Sequence, residues 1–270
     1  MRWNVHTIVC MKQIIDPEVP PHLFEIDLEE KRQLRGTHPL VISAYDEVAI
    51  EVGLQLKEKT DGSVTVVTVG GENTVESLHQ ALAMGVDQAI RITDPAFDNV
   101  DPFGKAQILA AAVRKIGEFD VVLCGRQAGD VELGLVGPFL AEELKFPCAT
   151  IIANIEPRNG KVRLKRAVEM GYEILEASTP LLGTISNDES NVPRYASVRG
   201  MLAARKAEIP VWSADDLGLD SQQLGLGSAS IEMDEMFVPE RDVECEIIQG
   251  ETGAEKARNL VDRLKEESLL

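Results

Sequence analysis

Short apolar runs alternate with segments whose apolar residues recur at helical spacing, and this rhythm persists over roughly the first 150 residues. Residues 7–11 (TIVCM) read as a first strand, since a continuous apolar run suits a sheet covered on both faces. Residues 46–58 (DEVAIEVGLQLKE) predict a helix with Asp46 as its cap, and residues 64–69 predict the next strand. Residues 74–84 (TVESLHQALAM) predict a helix capped by Thr74 and stopped by Gly85, with Val75, Leu78, Ala81 and Leu82 as its buried stripe. Residues 89–92 return to the sheet. Asp101 and Pro102 give the cap and first-turn signal of a further helix that runs to Gly117, and residues 121–124 (VVLC) form another buried strand. Such alternation predicts an α/β fold, an open and mostly parallel sheet with right-handed crossovers and helices on both faces.

The second half departs from this rhythm. Residues 161–176 alternate basic and apolar positions, and residues 180–185 (PLLGTI) resemble one more buried strand. Residues 191–212 concentrate Arg194, Arg199, Arg205 and Lys206 in an otherwise acidic chain. That reversal of charge reads either as a surface for anions or an acidic partner or as a solvated amphipathic helix. Residues 215–250 lack periodicity yet contain Met233, Met236, Phe237 and Val238, so an arm wrapped around a second subunit is expected. Thr252 and Glu255 have capping-box spacing, and Ala257, Leu260, Val261 and Leu264 predict a terminal helix. The chain therefore divides into an α/β unit over 1–208, with a recognition loop at 191–206, and a C-terminal arm and helix over 209–270.

The chemistry concentrates where the strand at 121–124 opens into residues 125–137 (GRQAGDVELGLVG). Gly125, Gly129, Gly134 and Gly137 make a backbone that can come close to a ligand, and residues 136–144 (VGPFLAEEL) predict a helix whose first N–H groups face the loop. In open α/β sheets a nucleotide binds at that position, although a plain strand-to-helix connection has the same glycines. The segment is neither GxGxxG nor a Walker loop, its single cation is Arg126, and Asp130 and Glu132 oppose a polyphosphate held by charge alone. At the end of the first strand, Lys12, Gln13 and Asp16 form a polar trio that is either functional or part of a turn.

Composition narrows the classes. With 270 residues, 44% of them hydrophobic and 4% aromatic, the chain can bury a sizeable, mostly aliphatic core. A net charge of -18 opposes sequence-independent binding to nucleic acid or anionic lipid, since both need a basic surface. No stretch approaches ~18 uninterrupted apolar residues, and Arg2, His6 and Lys12 break the N-terminus, which predicts a cytoplasmic protein with neither a span nor a signal peptide. Cys10, Cys124, Cys148 and Cys245 are scattered and read as buried thiols, with no CxxC pair and no histidine at ligand spacing. A hydrolase or ligase would need a nucleophilic or metal-binding constellation that the pattern does not supply. A stand-alone nucleotide sensor would be a stable monomer, which the apolar arm opposes.

Several segments together resemble the β subunits of electron transfer flavoproteins. These are MKQIIDP at 11–17, AYDEVAIEVGLQLKE at 44–58, ESLHQALAMGVDQAI at 76–90, GRQAGD at 125–130 and PRYASVRGMLAARKAEIPV at 193–211. The resemblance covers nearly the whole chain. It implies a Rossmann-like, adenine-nucleotide-binding subunit that pairs with an FAD-bearing α subunit and has no redox chemistry in its own side chains. In most relatives the β nucleotide is AMP, whereas in the electron-bifurcating branch it is a second FAD reduced by NADH. The VRGMLAARKAEIPVW wording and the long arm resemble that branch and the nitrogen-fixation group, so FAD is favoured over AMP. Expected partners are an acyl-CoA or similar dehydrogenase and, downstream, ferredoxin, flavodoxin or a quinone oxidoreductase.

Carried over by motif, the nucleotide is expected to touch Cys10, Ser43, Ala44, Tyr45, Asp46 and Val69. It is also expected to touch the loop formed by Gly125, Arg126, Gln127, Ala128, Gly129, Asp130, Val131, Glu132, Leu133, Gly134, Leu135 and Val136. In this expectation Gly125 lets the phosphate approach, the amides of the following helix hold its charge, and Arg126 neutralises part of it. Leu133 stands where relatives have Ser or Thr, Leu135 where they have Gln, and Val131 where an acid or Gly is frequent, so backbone N–H groups must carry more of the site. Val198 takes the position of a docking leucine, with Arg199, Arg205 and Lys206 as its charged surround.

Overall fold

The computed structural model describes residues 3–98, 100–220, 224, 229–231, 233–239 and 245–270. In chain order, β1 (His6–Cys10) is followed by the short strands β2 (Gln13–Ile15), β3 (Ile26–Asp27), β4 (Arg32–Gln33) and β5 (Leu40–Ile42), then by α1 (Ala44–Thr60). Next come β6 (Ser63–Val69), α2 (Val75–Met84), β7 (Gln88–Ile92), α3 (Pro102–Ile116), β8 (Val121–Gly125) and α4 (Val136–Leu144). β9 (Cys148–Arg158), β10 (Lys161–Val168), β11 (Gly171–Ala177) and β12 (Leu181–Ile185) precede α5 (Val198–Ala204), β13 (Val211–Trp212), α6 (Ala214–Leu217) and α7 (Gly253–Glu266).

Nine strands form one sheet in the order β11-β10-β9-β12-β8-β1-β6-β7-β13. Every pairing from β9 to β13 is parallel, while β10 and β11 add an antiparallel hairpin at one edge. Strand order reverses at β1, with β6 and β7 on one side and β8 and β12 on the other. The crevice of a doubly wound sheet lies at that reversal.

Period-2 alternation divides the strands between two cores. Val9, Val66 and Leu123 face one core with Ile50 and Leu54 of α1 and Leu78 of α2. Ile8, Val67 and Val122 face the other with Ile108 of α3 and Leu140 of α4. Each strand is apolar on both sides, which explains why the runs read as continuous. At β8 all five residues are buried.

Several expectations shift. Asp46 is not the cap of α1. Ser43 occupies that position, and Asp46 lies within the first turn, where it is buried. Thr74 stands at the start of α2 but its hydroxyl donates back to the Gly71 carbonyl at 2.8 Å, and the buried stripe is Ser77, Leu78, Ala81, Ala83 and Met84. The alternating segment at 161–176 is a hairpin on the long strand β9, which the sequence pattern did not reveal. Only two of the four cysteines are buried, with Cys148 and Cys245 exposed. The expected arm at 215–250 falls partly outside the described residues. α7 forms, with the Thr252 hydroxyl accepting from Glu255 N–H at 3.2 Å, but the Glu255 carboxylate accepts from Glu251 and not from the cap. None of its residues is buried. Among the described residues no helix is long and apolar enough to cross a membrane.

Arg194 does not join the exposed basic surface. Its guanidinium donates to Glu51 at 2.8 and 3.0 Å and to Glu58 at 2.5 Å, which ties the segment before α5 to α1. Burial pushes the Glu51 carboxyl up, yet the hydrogen bonds from Arg194 and Gln55 outweigh it and hold the group below the usual carboxylate range. Arg194→Ala leaves a buried carboxylate unpaired, with an expected loss of about 3 kcal/mol at neutral pH. The loss shrinks in acid, where Glu51 can protonate. Urea unfolding at the two pH values checks both the size and the direction.

Candidate functional site

The carboxyl ends of β1, β6 and β8 meet the first turns of α1, α3 and α4 around a cleft of about 390 Å³. That volume lies within the span of ordinary ligand sites. Of the expected residues, Cys10, Asp46, Val69, Gly125, Arg126, Gln127, Ala128, Val131, Leu133, Gly134, Leu135 and Val136 line it. Ser43, Ala44, Tyr45, Gly129, Asp130 and Glu132 are not among its lining, and several of them support the residues that are.

The link between α1 and β8 organises this end of the sheet. Asp46 accepts from the Lys12 amide and from the Gly125 amide, each at 2.8 Å, so one carboxylate joins the ends of β1 and β8. The Ser43 hydroxyl accepts from Gly129 N–H at 3.2 Å and fixes the middle of the loop. Burial pushes the Asp46 carboxyl up to about 7, although the two amides and the nearby Lys12 charge pull the other way.

Gly125 has a different role from the expected one. A Cβ there would lie 2.5 Å from Asp46 Oδ1 and 2.8 Å from Tyr45 Cβ, so the space opened by the glycine is filled by α1 and not by a ligand. Gly134, by contrast, adopts φ +65°, which L residues rarely occupy, and this turns the loop into α4. No side chain caps α4, because the cap position is Leu135. Its first N–H groups are therefore available to an anion.

Charge at the site is more cationic than the loop suggests. The Arg126 guanidinium lies over the Tyr45 ring, 4.9 Å from its centre, and its Nε is buried without a hydrogen-bond partner among the described residues. Lys12 pairs with Asp130 at 2.6 Å across the end of β1 and the loop. Lys105, one turn into α3, also lines the cleft. Of the polar trio, Lys12 and Gln13 both line the cleft, Gln13 while bonded to Ser77 and Asn73 of the α2 region, whereas Asp16 accepts from Glu18 in a turn. Lys105 was missed, and its one available signal is its distance from the Asp101–Pro102 helix start.

Cys10 and Cys124 are register partners on β1 and β8 and form the floor. A hydrogen bond with Cys10, reinforced by burial, pushes the Cys124 thiol well up, so it stands protonated and inert. Cys10, Cys124 and Val69 make an apolar floor, and Lys12, Arg126 and Lys105 stand around it. Such a division suits a flat aromatic group below and a phosphate above.

The expected docking residues form a separate surface. α5 rests on α2, where a Cβ on Gly200 would collide with the Ala83 carbonyl. The outward face shows Val198 at 71% exposure beside Met201 and Leu202, with Arg199, Arg205 and Lys206 also exposed.

The family model described as electron transfer flavoprotein domain matches residues 34–217. The electron transfer flavoprotein subunit beta of Thermoanaerobacterium thermosaccharolyticum is 37% identical over 261 residues, covering 96% of this chain and 98% of that one. The caffeyl-CoA reductase-Etf complex subunit CarD of Acetobacterium woodii is 34% identical, with 97% of this chain and 99% of the relative aligned. Protein FixA of Azorhizobium caulinodans is 33% identical over 87% of this chain and 85% of its own length. With both a domain match over most of its length and full-length relatives of this kind, the chain belongs to the electron transfer flavoprotein family as a β subunit.

Proposed function

We propose that this β subunit pairs with an FAD-bearing α subunit and holds an adenine nucleotide of its own, FAD in preference to AMP, in the cleft at the ends of β1 and β8. The observation that carries the reading is the buried, partnerless Nε of Arg126 beside the uncapped start of α4, two anion-seeking features on one rim. The residues present suit the group. Cys10, Cys124 and Val69 offer an apolar floor, Leu133 and Leu135 an apolar side, and the amides of Val136 and Gly137 the partners that the missing hydroxyl and amide side chains would otherwise supply. A bound flavin would supply the one- and two-electron chemistry that no side chain here provides. The chain's own task is then to bind, orient and shield: Asp46 locks the two strand ends together, and Lys12–Asp130 fixes the loop.

In this reading electrons pass between an NADH- or acyl-CoA-linked dehydrogenase and a ferredoxin, flavodoxin or quinone-oxidoreductase acceptor. The resemblance of the VRGMLAARKAEIPVW wording to the bifurcating branch supports the bifurcating form. Co-expression with the α subunit, followed by denaturation and chromatography of released nucleotides, tests it directly. Two FAD per heterodimer are expected. One FAD with one AMP would replace the reading by a simple shuttle, and one FAD alone would show an empty β site.

The face of α5 is proposed as the dehydrogenase contact, with Val198 as anchor and Arg199, Arg205 and Lys206 steering an acidic partner. Val198→Glu is expected to slow electron delivery by about tenfold or more while leaving the melting temperature unchanged, since a 71% exposed side chain packs on little. Stopped-flow transfer at wild-type rate with the cognate dehydrogenase would remove Val198 from the contact.

A further inference from the structure

The α3 wall of the cleft carries a cation that the loop motif does not account for. Lys105 lines the cleft beside Val100, Pro102 and Leu109, on a different element from Arg126. A cation this near the start of a helix is opposed by the helix dipole, and it is not placed there to stabilise α3. Burial pulls the Lys105 ammonium below its usual pKa, with Lys12 adding to the fall, while Asp98 opposes it through space and not through a hydrogen bond. The ammonium donates to the Phe97 carbonyl at 2.8 Å, a neutral partner that leaves its charge uncompensated among the described residues. Lys12 is already matched by Asp130. A half-buried ammonium facing a cleft with no carboxylate paired to it among the described residues is costly until an anion completes it.

The cleft thus presents positive charge at two places, Arg126 with the start of α4 at one and Lys105 at the other. We propose that Lys105 is a second anion anchor, which takes the distal phosphate of a nucleoside diphosphate moiety while Arg126 and α4 hold the first, and so makes the site favour a diphosphate over a monophosphate. This rests on the nucleotide reading of the cleft and adds the residue that discriminates among nucleotides.

Calorimetric titration of the full chain with AMP, ADP and FAD tests it. The wild-type chain is expected to bind ADP about tenfold or more tighter than AMP, and Lys105→Met to lose about tenfold in ADP affinity with less than about threefold change for AMP. Lys105→Gln, which retains a donor for the Phe97 carbonyl, carries the same expectation, while Lys105→Arg should keep the ADP preference. Circular dichroism melts separate lost binding from lost folding. FAD tracking ADP across the variants would assign the anchor to a dinucleotide, and FAD indifferent to them would assign it to a free nucleoside diphosphate. Equal losses for AMP and ADP, no loss for ADP, or a wild-type preference for AMP would overturn the role of Lys105 with the nucleotide site intact. Wild-type failure to bind all three ligands would overturn the nucleotide reading and this inference with it.

Discussion

Gly125→Ala is expected to destabilise the chain by about 3 kcal/mol, at the upper end of ordinary overpacking. The new methyl carbon would sit 2.5 Å from Asp46 Oδ1, 2.8 Å from Tyr45 Cβ and 2.9 Å from the Asp46 amide nitrogen. A flexible side-chain tip could move aside, but the amide nitrogen belongs to the first turn of α1, whose cap residue Ser43 is fully buried. Relief therefore requires α1 and β8 to separate, which weakens the Gly125 N–H to Asp46 hydrogen bond. A urea midpoint shifted by that amount at unchanged slope is the expected observation. A loss below about 1 kcal/mol, with nucleotide binding abolished, would instead return the glycine to the ligand-approach role suggested by the motif.

Between about pH 4 and pH 7, Asp46 is expected to lower stability on the order of 4 kcal/mol as the pH rises. Burial pushes its carboxyl from 3.8 to about 7 in the folded chain. Across that window the unfolded chain has lost the proton and the folded chain keeps it, so the folded state binds more protons and each rise in pH favours unfolding. The contribution is complete below the unfolded value and is lost as pH passes the folded one. Other groups add slopes of their own. Burial raises the Glu47 carboxyl, giving the same direction, whereas Glu51 and Asp188 are held low and give the opposite one. Asp46→Asn isolates the effect, because those groups remain in the variant. At pH 4 the variant is the less stable chain, since one of the two amides from Lys12 and Gly125 then faces an NH₂ group. The wild-type advantage should fall steadily from pH 4 to pH 8 and change sign on the way. A constant difference would show that Asp46 ionises at its ordinary pKa and that the two amides dominate over burial.

Much of the fold was legible because the parallel strands are apolar on both faces and the helices carry their own start signals. The continuous runs at β1, β6 and β8 and the Asp101–Pro102 start of α3 match their observed elements to within a residue or so. The β9–β11 region was not legible. Strands at that edge mix burial and exposure, as in Lys161–Val168, and the basic residues there disguise a hairpin.

The sequence by itself determined the alternation of elements, the loop with its following helix, the exposed basic segment around α5 and the family. All of these are properties of contiguous residues, in which periodicity, caps and motif wording are local records of burial and turn geometry. Only the tertiary structure decided what the polar residues do. Asp46 finds its partners 34 and 79 positions away, Arg194 reaches Glu51 143 positions back, and Lys105 shares a cleft with the loop only because strand order reverses at β1. Pairing between distant groups depends on topology and on the dielectric of the finished interior, and neither is written in the pattern around any one of them.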